Sequence, residues 1–152
     1  MLPYAHLLIG LIISGSLYFV FPEIDLIKAG ILLASSVLID FDDYLYYLYE
    51  KGEWNPLKVY KKMKQENEEH LKSPRKERNN SYLRLCIFHG GEWVILFLVL
   101  GVFVSEYFLF VSLGIILHLI LDTIDHHRYN DRLERVSVIH DFLKYKKLRK
   151  AE

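Results

Sequence analysis

The chain has 152 residues, room for a single domain, and its 19 Lys+Arg balance 19 Asp+Glu to a formal net charge of zero. That balance excludes a generally basic nucleic-acid binder and an acidic tail protein, and 52% hydrophobic with 14% aromatic residues excludes a disordered chain. The one cysteine, Cys86, excludes an internal disulfide framework and a cysteine-cluster metal site.

A mean hydropathy of +0.14 hides a strong segregation, because apolar residues lie in four blocks and the charges lie between them. The blocks predict four helices, at about 3–21, 24–43, 85–104 and 107–125, each near the length that crosses a hydrocarbon core. Four such blocks leave too little amphipathic sequence to cover them in water. The expectation is an all-α polytopic membrane protein, with four transmembrane helices in an antiparallel bundle and amphipathic cytoplasmic helices.

Charge placement gives an orientation. Ten Lys/Arg fall between Lys51 and Arg84 and eight between Arg128 and Lys150, while the turns at Pro22–Asp25 and Ser105–Glu106 contain none. The positive-inside rule then puts both termini, the loop 50–84 and the tail 126–152 in the cytoplasm. The first block lacks a basic leader and a small-residue cleavage site, so it reads as a span and not as a cleaved signal. Without a targeting segment, a prokaryotic inner (plasma) membrane is the expected location.

Within the loop, Asn55-Pro56 predicts a helix start and Ser73-Pro74 a stop, with a one-sided face of Leu57, Tyr60, Met63, Asn67 and Leu71. Tyr44, Tyr46, Tyr47 and Tyr49 read as an interfacial aromatic belt. In the tail, Leu133, Val136, Ile139, Phe142 and Leu143 recur at helical spacing behind Asn130-Asp131, and the basic run Lys144–Lys150 suits anionic headgroups.

The intramembrane ionisable residues converge on this topology. His6 begins helix one, Asp40, Asp42 and Asp43 end helix two, His89 and Glu92 begin helix three, and His118 and Asp122 end helix four. All four groups fall at the cytoplasmic face. His118 and Asp122, at i and i+4, share one helix face. Small residues accompany them: Gly10 and Ser14 after His6, Ser36 before Asp40, Gly114 before His118. In membranes such residues let helices pack closely, so the polar faces read as packed faces.

Crowded carboxylates and imidazoles are costly there, and a divalent metal relieves the cost by neutralising charge and occupying lone pairs. His6, Asp40, Asp42, His89, His118 and Asp122 are the candidate ligands. Mixed imidazole and carboxylate ligation suits zinc foremost, with manganese or iron as alternatives. Three histidines and three carboxylates suffice for one or two ions, and the two-ion arrangement serves phosphoester hydrolysis. Glu92, one turn from His89, is the candidate general base.

At these residues the chain resembles the YdjM-type (LexA-regulated) membrane-bound metal-dependent hydrolase family. The likeness lies in His6 within Tyr4-Ala-His-Leu-Leu-Ile-Gly10, in Leu38-Ile-Asp40-Phe-Asp42 against a Leu-Pro-Asp-x-Asp element, and in His118-Leu-Ile-Leu-Asp122 against a His-x-x-x-Asp element. Cys86-Ile-Phe-His89-Gly stands where the family carries Arg-Gly-x-Thr-His-Ser, so the family arginine is missing and Arg84 is the candidate substitute for clamping an anion. The resemblance implies a cytoplasm-facing hydrolase acting on a phosphoester or lipid-linked substrate, with the bilayer as partner. The alternative is a non-enzymatic membrane protein: an assembly factor docking a protein partner through the 50–84 loop, or a small metal or proton carrier.

Overall fold

A computed structural model describes residues 3–74, 86–128 and 137–149 of the chain. Among the described residues the secondary structure is entirely helical: α1 (Pro3–Val20), α2 (Leu26–Leu38), α3 (Phe41–Lys51), α4 (Pro56–Lys72), α5 (Gly91–Phe103), α6 (Tyr107–Arg128) and α7 (Val138–Arg149). The all-α expectation therefore holds.

Two tight turns fold the apolar helices into hairpins, α1 with α2 and α5 with α6. At the first turn, Asp25 caps α2 by accepting from the Lys28 N–H at 2.8 Å. Lys28 then ties the two turns together, its ammonium lying 3.0 Å from Glu106 and 3.0 Å from the Glu23 carbonyl. The hairpins join along α2 and α6, with α1 packed on α2 and α5 on α6.

Glycines decide how close these helices come. A Cβ on Gly114 would lie 1.9 Å from Ser35 Oγ and 2.5 Å from the Leu32 carbonyl oxygen, so α6 rests almost on the α2 backbone. Gly10 meets Ser36 of α2, and Gly101 meets Leu109 of α6 in the same way.

The burial pattern runs opposite to that of a water-soluble bundle. The inner faces carry His6, Ser14, Ser36, Ser112, His118 and Asp122, all buried. Large apolar side chains point outward instead, among them Leu8, Ile12, Phe19, Ile95, Val102 and Phe103. Among the described residues, one helix is long and apolar enough to cross a membrane, over Tyr107–Asp125, and the apolar helices Tyr4–Val20 and Gly91–Phe103 are shorter.

The helix bounds differ from those expected at two places that matter for the site. The second apolar stretch does not run unbroken through position 43. It ends at Leu38, and Asp40 N–H bonds back to the Val37 carbonyl at 3.3 Å, a tightened last turn. α3 then starts at Phe41. The third stretch becomes helical only at Gly91, so Cys86–Gly90 is a short irregular strap carrying His89 ahead of the helix.

Asn55 caps α4 as expected, its side-chain oxygen accepting from the N–H groups of Leu57 at 3.0 Å and Lys58 at 3.3 Å, and α4 stops before Ser73. Its inward face holds in part: Met63, Asn67 and Leu71 are half-buried and Val59 is buried, while Leu57 and Tyr60 are exposed. On the same side the fully buried Tyr47 donates its hydroxyl to Glu66. Tyr47 therefore packs between helices and does not join an interfacial belt, whereas Tyr49 is exposed. In the tail, Ile139, Phe142 and Leu143 of α7 are exposed and Asp141 is buried. The expected helix start at Asn130-Asp131, with Leu133 and Val136, lies outside the described residues.

Candidate metal centre

Four chain segments deliver the ionisable side chains to one end of the bundle. α1 brings His6, the α2–α3 break brings Asp40 and Asp42, the strap before α5 brings His89, and the last turns of α6 bring His118 and Asp122. His6, His89 and His118 are among the most completely buried large side chains in the molecule.

The break after Leu38 has a chemical consequence. In a continuous helix the Ser36 carbonyl would accept from the Asp40 N–H, but that N–H turns to Val37. The released Ser36 carbonyl takes the His118 Nδ1 instead, at 2.8 Å. A carbonyl only accepts, so Nδ1 carries the hydrogen and Nε2 of the neutral ring is a lone pair.

His89 is fixed by the same logic. Its Nδ1 lies 3.0 Å from Asp42 Oδ2, which also accepts the Phe88 N–H at 2.9 Å. The carboxylate takes the Nδ1 hydrogen and leaves Nε2 of His89 as a lone pair as well. Asp42 thus sits behind the ring, where it orients His89 and raises the basicity of the opposite nitrogen.

The two prepared nitrogens face each other. His89 Nε2 and His118 Nε2 are 3.2 Å apart. Asp122 Oδ2 lies 3.4 Å from His118 Nε2 and 3.8 Å from His89 Nε2. Asp40 Oδ1 lies 3.6 Å from each. Two imidazole nitrogens and two carboxylate oxygens brought this close suit a shared cation. For tetrahedral zinc with bonds of 2.0–2.2 Å, neighbouring donors are separated by about 3.3–3.6 Å. The observed separations, 3.2–3.8 Å, bracket that spacing, so the residues present fit a divalent metal.

His6 adds a further layer. Its ring stacks on His118, centroids 4.1 Å apart and planes 17° from parallel, and its Nε2 lies 3.2 Å from Asp122 Oδ1. Behind the cluster, the Cys86 thiol donates to Asp43 Oδ1 at 3.2 Å, so Cys86 and Asp43 brace the Asp42 turn. Sequence reasoning missed two of these supports, the Ser36 carbonyl and the Cys86 thiol. Neither has a motif: one is a backbone atom freed by a helix break, the other a thiol whose partner lies 43 positions away.

Glu92 stands apart from the cluster. One of its oxygens accepts from Ser137 Oγ at 2.5 Å and the other from the Val138 N–H at 3.1 Å, so it caps the N-terminus of α7 from another helix. Gly90 makes room for this docking, since a Cβ there would lie 2.3 Å from Val138 Cγ2. Glu92→Gln should loosen α7, raising amide exchange over 138–141 by roughly tenfold for each 1.4 kcal/mol of lost cap, at constant metal content. If the variant loses metal and α7 stays protected, Glu92 serves the cluster and not the helix. Arg84, the candidate anion clamp, lies outside the described residues.

Comparisons with protein-family models, with curated proteins and with solved structures find no match for this chain. The functional reading therefore rests on the geometry of the cluster.

Proposed function

We propose that this chain is an integral membrane metal-dependent hydrolase that acts at the cytoplasmic face on a phosphoester or lipid-linked substrate. The observation that carries the reading is the pair of imidazoles whose Nδ1 atoms are both engaged, one by Ser36 O and one by Asp42, and whose Nε2 atoms face each other at 3.2 Å. Asp40 and Asp122 complete the donor set, with zinc the metal that best suits two nitrogens and two oxygens at this spacing. A divalent ion held there supplies Lewis-acid polarisation of a phosphoryl oxygen and acidifies water.

The chain's own residues do the rest. Ser36 O and Asp42 hold the two rings in one tautomer, so the donors need no reorganisation on binding. Glu92, the sequence-based candidate for the general base, is engaged by Ser137 and the Val138 N–H.

The membrane setting draws support from the outward-facing apolar side chains, the polar packed faces and the charge partition about the short turns. Four spans follow, with both termini and the 50–84 loop cytoplasmic, in a prokaryotic inner membrane. The short α2 and α5, 13 residues each and about 20 Å long, fall short of a hydrocarbon core of about 30 Å, so with the turns at one interface the cluster lies toward the other, beneath its headgroups. The resemblance to YdjM-type hydrolases points the same way.

The test is phosphate release from phospholipid monoesters by protein in detergent micelles. Chelation should cut the rate to background, at least 100-fold, and zinc, manganese or iron should restore it. A rate that ignores chelator, or no release with any of the three metals, removes the hydrolase reading.

A further inference from the structure

We propose that the cluster holds a second divalent cation, bound by His6, with the Asp122 carboxylate bridging the two ions. The inference rests on the metal reading above and sharpens it.

Asp122 is shared in a particular way. Its Oδ2 faces His118 and His89, whereas its Oδ1 faces His6 Nε2 at 3.2 Å. The two stacked rings therefore turn the same edge toward one carboxylate, Nε2 of His118 to one oxygen and Nε2 of His6 to the other. The ring centroids are 4.1 Å apart, and the two Nε2 atoms lie 3.2 Å and 3.4 Å from the two oxygens of that one carboxylate. Ions held one on each nitrogen and shared through that carboxylate would lie at about the ring spacing. Two-metal sites that clamp the attacking and leaving oxygens of a phosphoester have ions about 3.5–4 Å apart, and a bridging carboxylate is suited to that separation.

Asp40 is the candidate for a third donor. It gives Oδ1 to the first position, and its Oδ2 is buried without a hydrogen-bond partner. A buried carboxylate oxygen left so costs free energy that a cation recovers. His6 Nε2 and Asp122 Oδ1 supply the second ion's nitrogen and first oxygen, which leaves positions for Asp40 and for substrate oxygens. An ordinary His6–Asp122 hydrogen bond explains neither the common edge of the stacked rings nor the unpartnered Asp40 oxygen.

The experiment is manganese loading of the detergent-purified chain, read by elemental analysis and by electron paramagnetic resonance, beside His6→Ala and His6→Asn. Two equivalents with a spin-coupled signal are expected in the unaltered protein, falling to one equivalent with the signal of an isolated ion in both variants. One equivalent in the unaltered protein overturns the second position and leaves the single-metal reading standing. Two equivalents retained in a variant overturn the assignment of His6. No bound metal at all removes both readings. If the variants fail to fold, the stoichiometry and spin coupling of the unaltered protein still decide between one ion and two.

Discussion

His118→Ala is expected to leave the purified protein without tightly bound divalent metal. That ring has five partners in and around the cluster: Nε2 faces His89, Asp40 and Asp122, Nδ1 meets the Ser36 carbonyl, and the ring face covers His6. Alanine removes a donor and also strands the Ser36 carbonyl in a buried position, a cost of about 1–3 kcal/mol. Affinity should therefore fall well beyond the roughly 10–100-fold that follows loss of a group merely orienting a ligand. Asp42→Asn supplies that comparison. Its amide oxygen can still accept from His89 Nδ1, so metal should be weakened within that range and not abolished. Elemental analysis after gel filtration, with circular dichroism to confirm retained helix, separates the two. Full metal content in His118→Ala would mean that the four-donor assignment is wrong.

Gly114→Val should damage fold and site together. The glycine's missing side chain is where α6 crosses α2, and even a Cβ would come within 2.5 Å of the Leu32 carbonyl oxygen, a backbone atom that cannot rotate away. The helices must part by more than an ångström to admit valine, and overpacking of this kind costs about 1–3 kcal/mol or more. Separation of α2 from α6 also pulls the Asp40 end of one helix from the His118–Asp122 end of the other. Thermal unfolding in detergent should shift down, and metal content should drop with it. Gly15→Ala and Gly30→Ala are the controls, since nothing lies within 4 Å of a Cβ at either helical position. They should be neutral or stabilising by up to about 1 kcal/mol, from helix propensity alone. A Gly114→Val protein that melts normally would show that the α2–α6 approach is not as close as described.

How much of this was legible in the sequence depends on whether a relation is local. His118 and Asp122 lie one turn apart on a helix that does form, so their shared face followed from spacing. The meeting of His6, Asp40, His89 and that pair at one end followed from counting antiparallel helices. Glu92 shows where the reasoning fails. It was placed one turn from His89 on a common helix, but the helix begins at Gly91, His89 lies before it on the strap, and i, i+3 spacing carries no facing relation there. The face of α4 held only in part: Met63, Asn67 and Leu71 lie half-buried, but the first turn's Leu57 and Tyr60 are exposed and Val59 is buried.

By itself, the sequence determined the helical class, the places of the four apolar helices, the Asn55 cap and the end of the bundle at which the polar residues gather. These depend on chain periodicity, on local backbone chemistry and on the alternation of helix direction. Only the tertiary structure decided that the second helix breaks after Leu38, that its freed Ser36 carbonyl fixes the His118 tautomer, and that Asp42 stands behind His89. The last two are contacts between segments distant in the chain, and at Ser36 a backbone hydrogen bond is exchanged for one to a buried ring. Such exchanges leave no periodic trace, because their energy depends on which groups become neighbours once the helices have packed.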